Sequence, residues 1–228
     1  MLSVNDEFVE ELWKSLCCFW NRLKGSSWRC MVEFIRVIPL IKKTFAKQKF
    51  SEYFLEELLD VVKTGNMQIK SNAAHVFCLL LRQDDVYKKI DSYLVKIRKL
   101  KCSSYYERVG FLELIQAFTY HFSHKFLRDK EIILDVIELA NNKISVLRIR
   151  VIRVINNIIN HIKGDQQQLL QKKLHELSNS INKDVAYEAN KAITNNNLKK
   201  SQEEINKRDE KLEEQEVLLS GIVTFEIY

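Results

Sequence analysis

Few residues of this chain have the type and spacing that chemistry requires. His121 and His124 stand three residues apart, a spacing that places both imidazoles on one face of a helix, where they could share a metal ion. No carboxylate or thiol follows at a ligand spacing, and His124 falls near a predicted helix end. We therefore favour an ordinary histidine pair, and we expect no bound metal.

The cysteines and glycines offer no alternative chemistry. The five cysteines form no Cys-x-x-Cys pair, so neither a disulfide framework nor a zinc site is predicted. We expect the cysteines to be buried as small hydrophobic residues of a protein in a reducing compartment. The chain contains no Gly-x-Ser-x-Gly turn and no glycine-rich phosphate loop. We predict a protein that is not an enzyme, with no catalytic residues and no cofactor. The cysteines are Cys17, Cys18, Cys30, Cys78 and Cys102.

Basic side chains are concentrated between residues 88 and 101, where tyrosines are interleaved with them. Such a composition could follow a nucleic-acid backbone. However, Lys89, Lys96 and Lys99 alternate with apolar residues, as on the solvated face of any amphipathic helix. The net charge of +6 permits an acidic partner without requiring one. We favour the solvated face, and nucleic acid is not the expected partner.

A basic residue with an apolar or aromatic neighbour recurs about every forty residues. The steps between successive basic residues are 41, 38 and 40 (29 to 70, 70 to 108, 108 to 148), and a fifth segment keeps the pattern at Asp184-Val185-Ala186 without the basic residue. A repeat of this length predicts one helical hairpin per repeat, as in HEAT and armadillo solenoids. The four signals are Arg29 after Trp28, Lys70 after Ile69, Arg108 two after Tyr106, and Arg148 after Leu147.

Apolar periodicity within each repeat predicts five hairpins, each with two helices joined by a short polar turn. Pro39 lies inside a predicted helix and is expected to kink or divide it. The predicted fold is an all-α, HEAT-like α-solenoid over residues 1–196. The predicted helix pairs are 5–23 with 28–46, 52–63 with 68–81, 86–100 with 105–122, 129–140 with 146–162, and 167–178 with 184–194.

Beyond residue 196 the composition changes to dense mixed charge. Residues 197–219 predict one solvated, charged helix stabilised by ion pairs between its own turns, and one heptad step from Ile205 to Leu212 would allow a short coiled coil. Residues 220–228 form an irregular tail to which the sequence gives no role.

The N-terminal segment is acidic where a secretion signal would be basic, and the apolar runs are too short and too charged to span a bilayer. We therefore expect a soluble, cytoplasmic protein without a membrane partner.

Three segments resemble the serine/threonine-protein phosphatase 4 regulatory subunit 4 family of HEAT-repeat proteins. They are SYYERVGFLE (Ser104–Glu113), IILDVIELANNKISVLRIR (Ile132–Arg150) and KDV (Lys183–Val185), in the same order as in that family. The charged residues 199–219 are similar to a Lys/Glu-rich helix that follows the last hairpin of the family. Two positions depart from the pattern, since Asn142-Lys143 replaces a common Asp-Pro turn and Ala186 replaces a basic residue.

The resemblance runs from about residue 79 to residue 215 and implies the C-terminal part of a longer array. The aromatic residues of the first hairpin (Trp13, Phe19, Trp20 and Phe34) are numerous for a capping repeat, which also favours a preceding neighbour.

For function, the resemblance implies a non-catalytic regulatory or scaffold subunit that binds a phosphatase catalytic subunit, of the phosphatase 4 type, along the edge formed by the turns. The same basic residues could also pair with acidic or carbonyl groups of adjacent repeats and stabilise the array, and the two roles are compatible. The alternatives are an adaptor for transport or cytoskeleton partners and a nucleic-acid-binding solenoid. The candidate partner-binding residues are Trp28, Arg29, Lys70, Tyr106, Arg108, Arg148 and Arg150.

Overall fold

A computed structural model describes residues 6–44, 48–83, 86–195 and 202–220. Within these ranges the chain is helical and contains no strand, which confirms the predicted all-α fold. Short 3-10 turns lie at 87–89 and 159–161. The helices are α1 (Asp6–Leu23), α2 (Trp28–Thr44), α3 (Gln48–Thr64), α4 (Met67–Leu81), α5 (Ile90–Lys101), α6 (Tyr105–His121), α7 (His124–Asp129), α8 (Ile132–Ala140), α9 (Ser145–Ile158), α10 (Gly164–Ser178), α11 (Lys183–Asn195) and α12 (Gln202–Ser220).

The helices pair into five hairpins that stack side by side. The pairs are α1–α2, α3–α4, α5–α6, α8–α9 and α10–α11, and the short α7 precedes the fourth pair. The second helices form one layer, in which α4 packs between α2 and α6 and α9 packs between α6 and α11. The first helices form the other layer, in which α8 contacts both α5 and α10. This arrangement is the predicted α-solenoid of five hairpins.

The core runs between the two layers along the whole stack. Helix α4 is nearly all apolar because it contacts α2, α3 and α6, and Ala73, Ala74, Phe77, Cys78 and Leu81 are all fully buried. Burying one large apolar side chain contributes roughly 1.5–3 kcal/mol. The continuous apolar surface between neighbouring hairpins therefore holds the array together.

Aromatic residues join the first hairpin to the second. Trp20 is fully buried, and its indole N–H donates to Glu57 at 2.6 Å. The ring centroid of Trp13 lies 5.3 Å from that of Tyr53 in an edge-to-face arrangement. Phe19, in contrast, is half exposed. Most of the aromatic residues noted in the sequence thus pack against α3.

Local signals explain where several helices begin and end. Ser104 and Glu107 form a reciprocal capping box at the start of α6, and Asn66 caps α4 by accepting from the Ile69 N–H at 3.0 Å. Helix α2 continues through Pro39, so the expected division of that helix does not occur. Asp84 and Asp85, between the second and third hairpins, and residues 221–228 lie outside the described residues.

The prediction of a wholly solvated C-terminal helix is wrong for α12. Asp209 and Glu216 are buried against the array, because the array presents backbone N–H groups and basic side chains that satisfy both carboxylates. The side chain of Ile205, which would begin a coiled-coil seam, lies outside the described residues. None of the helices in the described ranges is both long and apolar enough to cross a membrane.

Candidate protein-binding groove

Large apolar side chains are exposed at the start of the second helix in four successive hairpins. They are Trp28 (43% exposed), Met67 (39%), Tyr106 (71%) and Val146 (59%). Each is the first or second residue of its helix, so all four lie at the edge formed by the turns within hairpins. Their positions are separated by 39, 39 and 40 residues. We call this set the turn row.

Three members of the turn row surround one concave surface, a groove of ≈ 430 Å³ that spans the second, third and fourth hairpins. Its walls are mainly apolar and aromatic, and its basic groups come from α4 and α9. We call this surface the turn groove. Its main lining residues are Met67, Tyr106, Val109, Val146, Ile149 and Arg150.

Arg150 supplies the polar end of the turn groove. Its guanidinium lies 3.6 Å from a carboxylate oxygen of Glu113 and is about a quarter exposed. Glu113 is buried in α6, and this burial raises the pKa of its carboxyl group although Arg150 opposes the effect. Arg150 is therefore positioned by Glu113, and its Nη2 group also donates to the sulfur of Met67 at 2.8 Å.

Lys70 reaches the base of the groove, but its charge is used inside the protein. The side chain is 2% exposed, and its ammonium donates to the carbonyl groups of Val62, Lys63 (2.6 Å) and Tyr106 (3.2 Å). Burial is the main cause that lowers its pKa to about 8. We therefore assign Lys70 the stabilising role that the sequence left open, and not a partner-binding role.

The remaining predicted residues lie apart from the groove. Arg148 donates to the hydroxyls of Ser145 and Ser180, each at 3.3 Å, and so connects α9 to the turn of the next hairpin. Arg108 is half-buried, and its Nε atom has no hydrogen-bond partner within the described part of the chain. Trp28 and Arg29 form an exposed cation–π pair on the first hairpin, 5.2 Å from guanidinium to ring centroid.

The basic residues that recur in the sequence do not indicate the apolar lining of the groove. Met67, Val146 and Ile149 contribute to that lining and are not among the predicted residues, although the regular spacing of Met67 and Val146 with Trp28 and Tyr106 is visible in the sequence. Of the seven predicted residues, the structure places Lys70, Tyr106 and Arg150 at the groove.

His121 and His124, the two possible metal ligands, contact different residues. The Nε2 atom of His121 lies 3.1 Å from Nδ1 of His75, and burial lowers the pKa of both rings, that of His121 to about 4. The backbone N–H of His124 instead donates to Asp209. Among the residues that the structure describes, no three or more His, Cys, Asp or Glu side chains are grouped to hold a metal ion.

The basic stretch of α5 is largely neutralised by carboxylates of neighbouring hairpins. Lys96 pairs with Glu56 of α3, and both Arg98 (2.9 Å) and Lys101 (2.7 Å) pair with Asp135 of α8. These pairs form a ladder along the layer of first helices. A nucleic-acid backbone would have to compete with these carboxylates.

The cysteines depart from the expectation of small buried hydrophobes. Cys78 is buried and Cys17 is half-buried, whereas Cys18, Cys30 and Cys102 are exposed. All five are free thiols. The three exposed cysteines lie within apolar segments, but on the side of each segment that does not face the core.

Comparison with known proteins shows no family for this chain. No protein-family model matches the chain, and no curated protein sequence matches it. Solved structures that it is similar to include a computationally designed armadillo repeat protein for modular peptide recognition (16% identity, TM-score 0.40, covering 62% of this chain and 63% of that chain). A second designed armadillo repeat protein has 17% identity and a TM-score of 0.38, over 62% of this chain and 63% of the other. A third, in complex with the peptide (KR)4, has 13% identity and a TM-score of 0.40, over 89% and 94% of the two chains.

Proposed function

We propose that this chain is a non-catalytic regulatory or scaffold module that binds a protein partner on the turn groove. The resemblance to the phosphatase 4 regulatory subunit 4 family suggests the partner to test first, the catalytic subunit of a serine/threonine phosphatase of that type. The observation that carries the proposal is the turn row, with its four exposed apolar residues at almost constant spacing.

An exposed and regular set of large apolar side chains favours a binding surface. Scattered exposed hydrophobics are common on proteins, but contiguous patches mark interaction sites. Burial by a partner would contribute roughly 1–2 kcal/mol for each half-exposed side chain, and Tyr106 has the aromatic character typical of binding hot spots. Arg150, at the end of the groove, can bind an acidic or carbonyl group of the partner.

The lining of the groove favours binding over catalysis. Among the described residues, those that line it include no Ser, Cys, His, Asp or Glu side chain, and the ammonium of Lys70 is already bound to carbonyl groups. The five free thiols accord with the cytoplasm as the compartment in which the module acts.

Affinity purification with paired variants of the whole chain tests the proposal. The groove variant Tyr106→Ser/Val146→Ser removes two exposed apolar residues of the turn row, and the control variant Val95→Ser/Leu134→Ser removes two exposed apolar residues from the first helices α5 and α8. We expect the wild-type chain and the control to retain the phosphatase catalytic subunit in an immunoblot. We expect the groove variant to retain at least about tenfold less, because each loss of about 1.4 kcal/mol weakens binding tenfold and two side chains are removed.

Equal retention by the groove variant and the control would contradict the proposed site. Capture of transport or cytoskeleton proteins instead, lost only in the groove variant, would favour the adaptor alternative over the phosphatase. Mass spectrometry of the retained proteins separates these two outcomes.

A further inference from the structure

Helix α12 lies across the edge of the array opposite the turn row. Its contacts are with residues that follow the C-terminal ends of three second helices, namely Arg82 after α4, Ser123 after α6 and Lys163 after α9. The turn row lies at the N-terminal ends of the same helices. One helix thus contacts three successive hairpins on a surface separate from the turn groove.

Two buried carboxylates of α12 are received by matched donors. Glu216 accepts from the backbone N–H of Ser123 at 2.8 Å and from its hydroxyl at 2.5 Å. Asp209 accepts from the backbone N–H of His124 at 2.7 Å and from Lys163 at 3.1 Å. Hydrogen bonds to ionised acceptors are stronger than neutral ones.

Further polar groups flank these two carboxylates. Arg82 donates to the side-chain oxygen of Gln215 at 2.5 Å and lies 3.7 Å from Glu216. Arg208 of α12 contacts Nδ1 of His161 at 2.8 Å. We call the receiving surface the docking edge, defined by Arg82, Ser123, His124 and Lys163.

The two carboxylates meet at one junction of the array. Asp209 and Glu216 are seven residues apart, which places them on one face of a helix about 10 Å apart along its axis. Their side chains accept from the adjacent backbone N–H groups of His124 and Ser123, between α6 and α7. Each carboxylate also lies near a basic residue of a neighbouring hairpin, Glu216 near Arg82 and Asp209 near Lys163.

Helix α12 is attached by charged and polar contacts and by Leu219, which is partly buried against the core. The helix has seven acidic and three basic residues, which gives it a net charge of −4. Because the whole chain has a net charge of +6, the residues outside α12 together carry +10. Val217 and Leu218 remain exposed, and a crevice of ≈ 670 Å³ separates part of α12 from the third hairpin. Charged contacts of this kind are offset by desolvation and weakened by salt, unlike the apolar contacts between hairpins.

We propose that the docking edge is a binding surface for an acidic helix with two carboxylates seven residues apart. Helix α12 is its intramolecular occupant, and a partner protein that presents such a helix takes its place. The partner is selected by the negative charge of its helix and by the seven-residue spacing of its two carboxylates. The proposal does not rest on the phosphatase assignment, since it concerns the opposite edge of the array.

A charge reversal in the whole chain tests the proposal. The variant Asp209→Lys/Glu216→Lys is designed to release α12, and the control Glu210→Lys/Glu214→Lys makes the same change in net charge at two exposed positions of the same helix. The probe is a fluorescent synthetic peptide of residues 202–220, and its binding is measured by fluorescence anisotropy. Hydrogen exchange reports whether the amides of α12 are protected.

We expect the released variant to bind the peptide at least tenfold more tightly than the wild-type chain or the control, in which the linked helix competes at high effective concentration. Adding Arg82→Glu and Lys163→Glu to the released variant should abolish this binding. A peptide with lysine at positions 209 and 216 should not bind. Circular dichroism checks that the array is folded, and Asp209→Asn/Glu216→Gln replaces the reversal if it is not.

Three results would overturn the proposal. The first is protection of α12 from exchange in the released variant, and the second is failure of the peptide to bind once α12 is released. The third is equal peptide affinity for the wild-type chain, the control and the released variant, since an occupied surface cannot bind as well as a vacant one.

Discussion

The ammonium of Lys70 lies inside the array and joins two hairpins. Its three acceptors are carbonyl groups in the last turn of α3 and the first turn of α6. Carbonyls in the last turn of a helix have no partner within that helix, so Lys70 satisfies the Val62 and Lys63 carbonyls, which burial would otherwise leave without a donor. Lys70, which the sequence indicates as a candidate contact for a partner, thus stabilises the packing beneath the turn groove.

Substitution of Lys70 should therefore reduce stability. We expect Lys70→Ala to lower the free energy of unfolding by roughly 2–4 kcal/mol, because it leaves buried carbonyl groups without donors and removes a packed aliphatic stem. Lys99→Ala, at an exposed position of α5, should change it by less than about 0.5 kcal/mol. Urea unfolding followed by circular dichroism measures both, and equal midpoints for the two variants would refute the assigned role.

At the scale of elements, close approach between helices is set by Gly110. This residue lies in α6 against α3, where an added Cβ would overlap the carbonyl oxygen of Val62 and meet a side-chain methyl of the same residue at 2.9 Å. A glycine inside a helix costs about 1 kcal/mol relative to alanine. The close packing of the second hairpin on the third offsets that cost.

Gly110→Ala should accordingly destabilise the protein in spite of its better helix propensity. We expect a net loss of about 1–3 kcal/mol from overpacking, seen as a lower midpoint of thermal unfolding. The matched control is Gly25→Ala in the first turn, where the nearest atom to an added Cβ is 3.8 Å away. If Gly110→Ala unfolded at the wild-type temperature or above, the helices would not be held at the distance described.

The hairpins were predictable from the sequence because each depends on local periodicity and polar turns. The predicted second helix 68–81 differs by one residue at its start from α4 (Met67–Leu81). The position of α12 was not predictable, since Glu216 binds Ser123 across 93 residues and no local pattern reports such a contact. The burial of the Lys70 side chain was also not predictable, because the neighbouring hairpins determine which face of α4 is covered.

For the whole molecule, the stack presents two separate surfaces. The turn groove is apolar and ends in Arg150, whereas the docking edge is polar and already holds α12. Array stability comes from apolar contacts between neighbouring hairpins. The surfaces can therefore bind different ligands without rearrangement of the core, and the turn groove is the surface on which the proposed function depends.

Site-specific photocrosslinking tests the position of that function most directly. A photoreactive phenylalanine analogue replaces Tyr106 of the turn row or, as a control, Val95 on the exposed face of α5. With the phosphatase catalytic subunit as partner, we predict a covalent adduct from position 106 and none from position 95, because only the former would lie within the interface. An adduct from position 95 alone, or from neither position while the proteins still co-purify, would contradict binding on the turn groove.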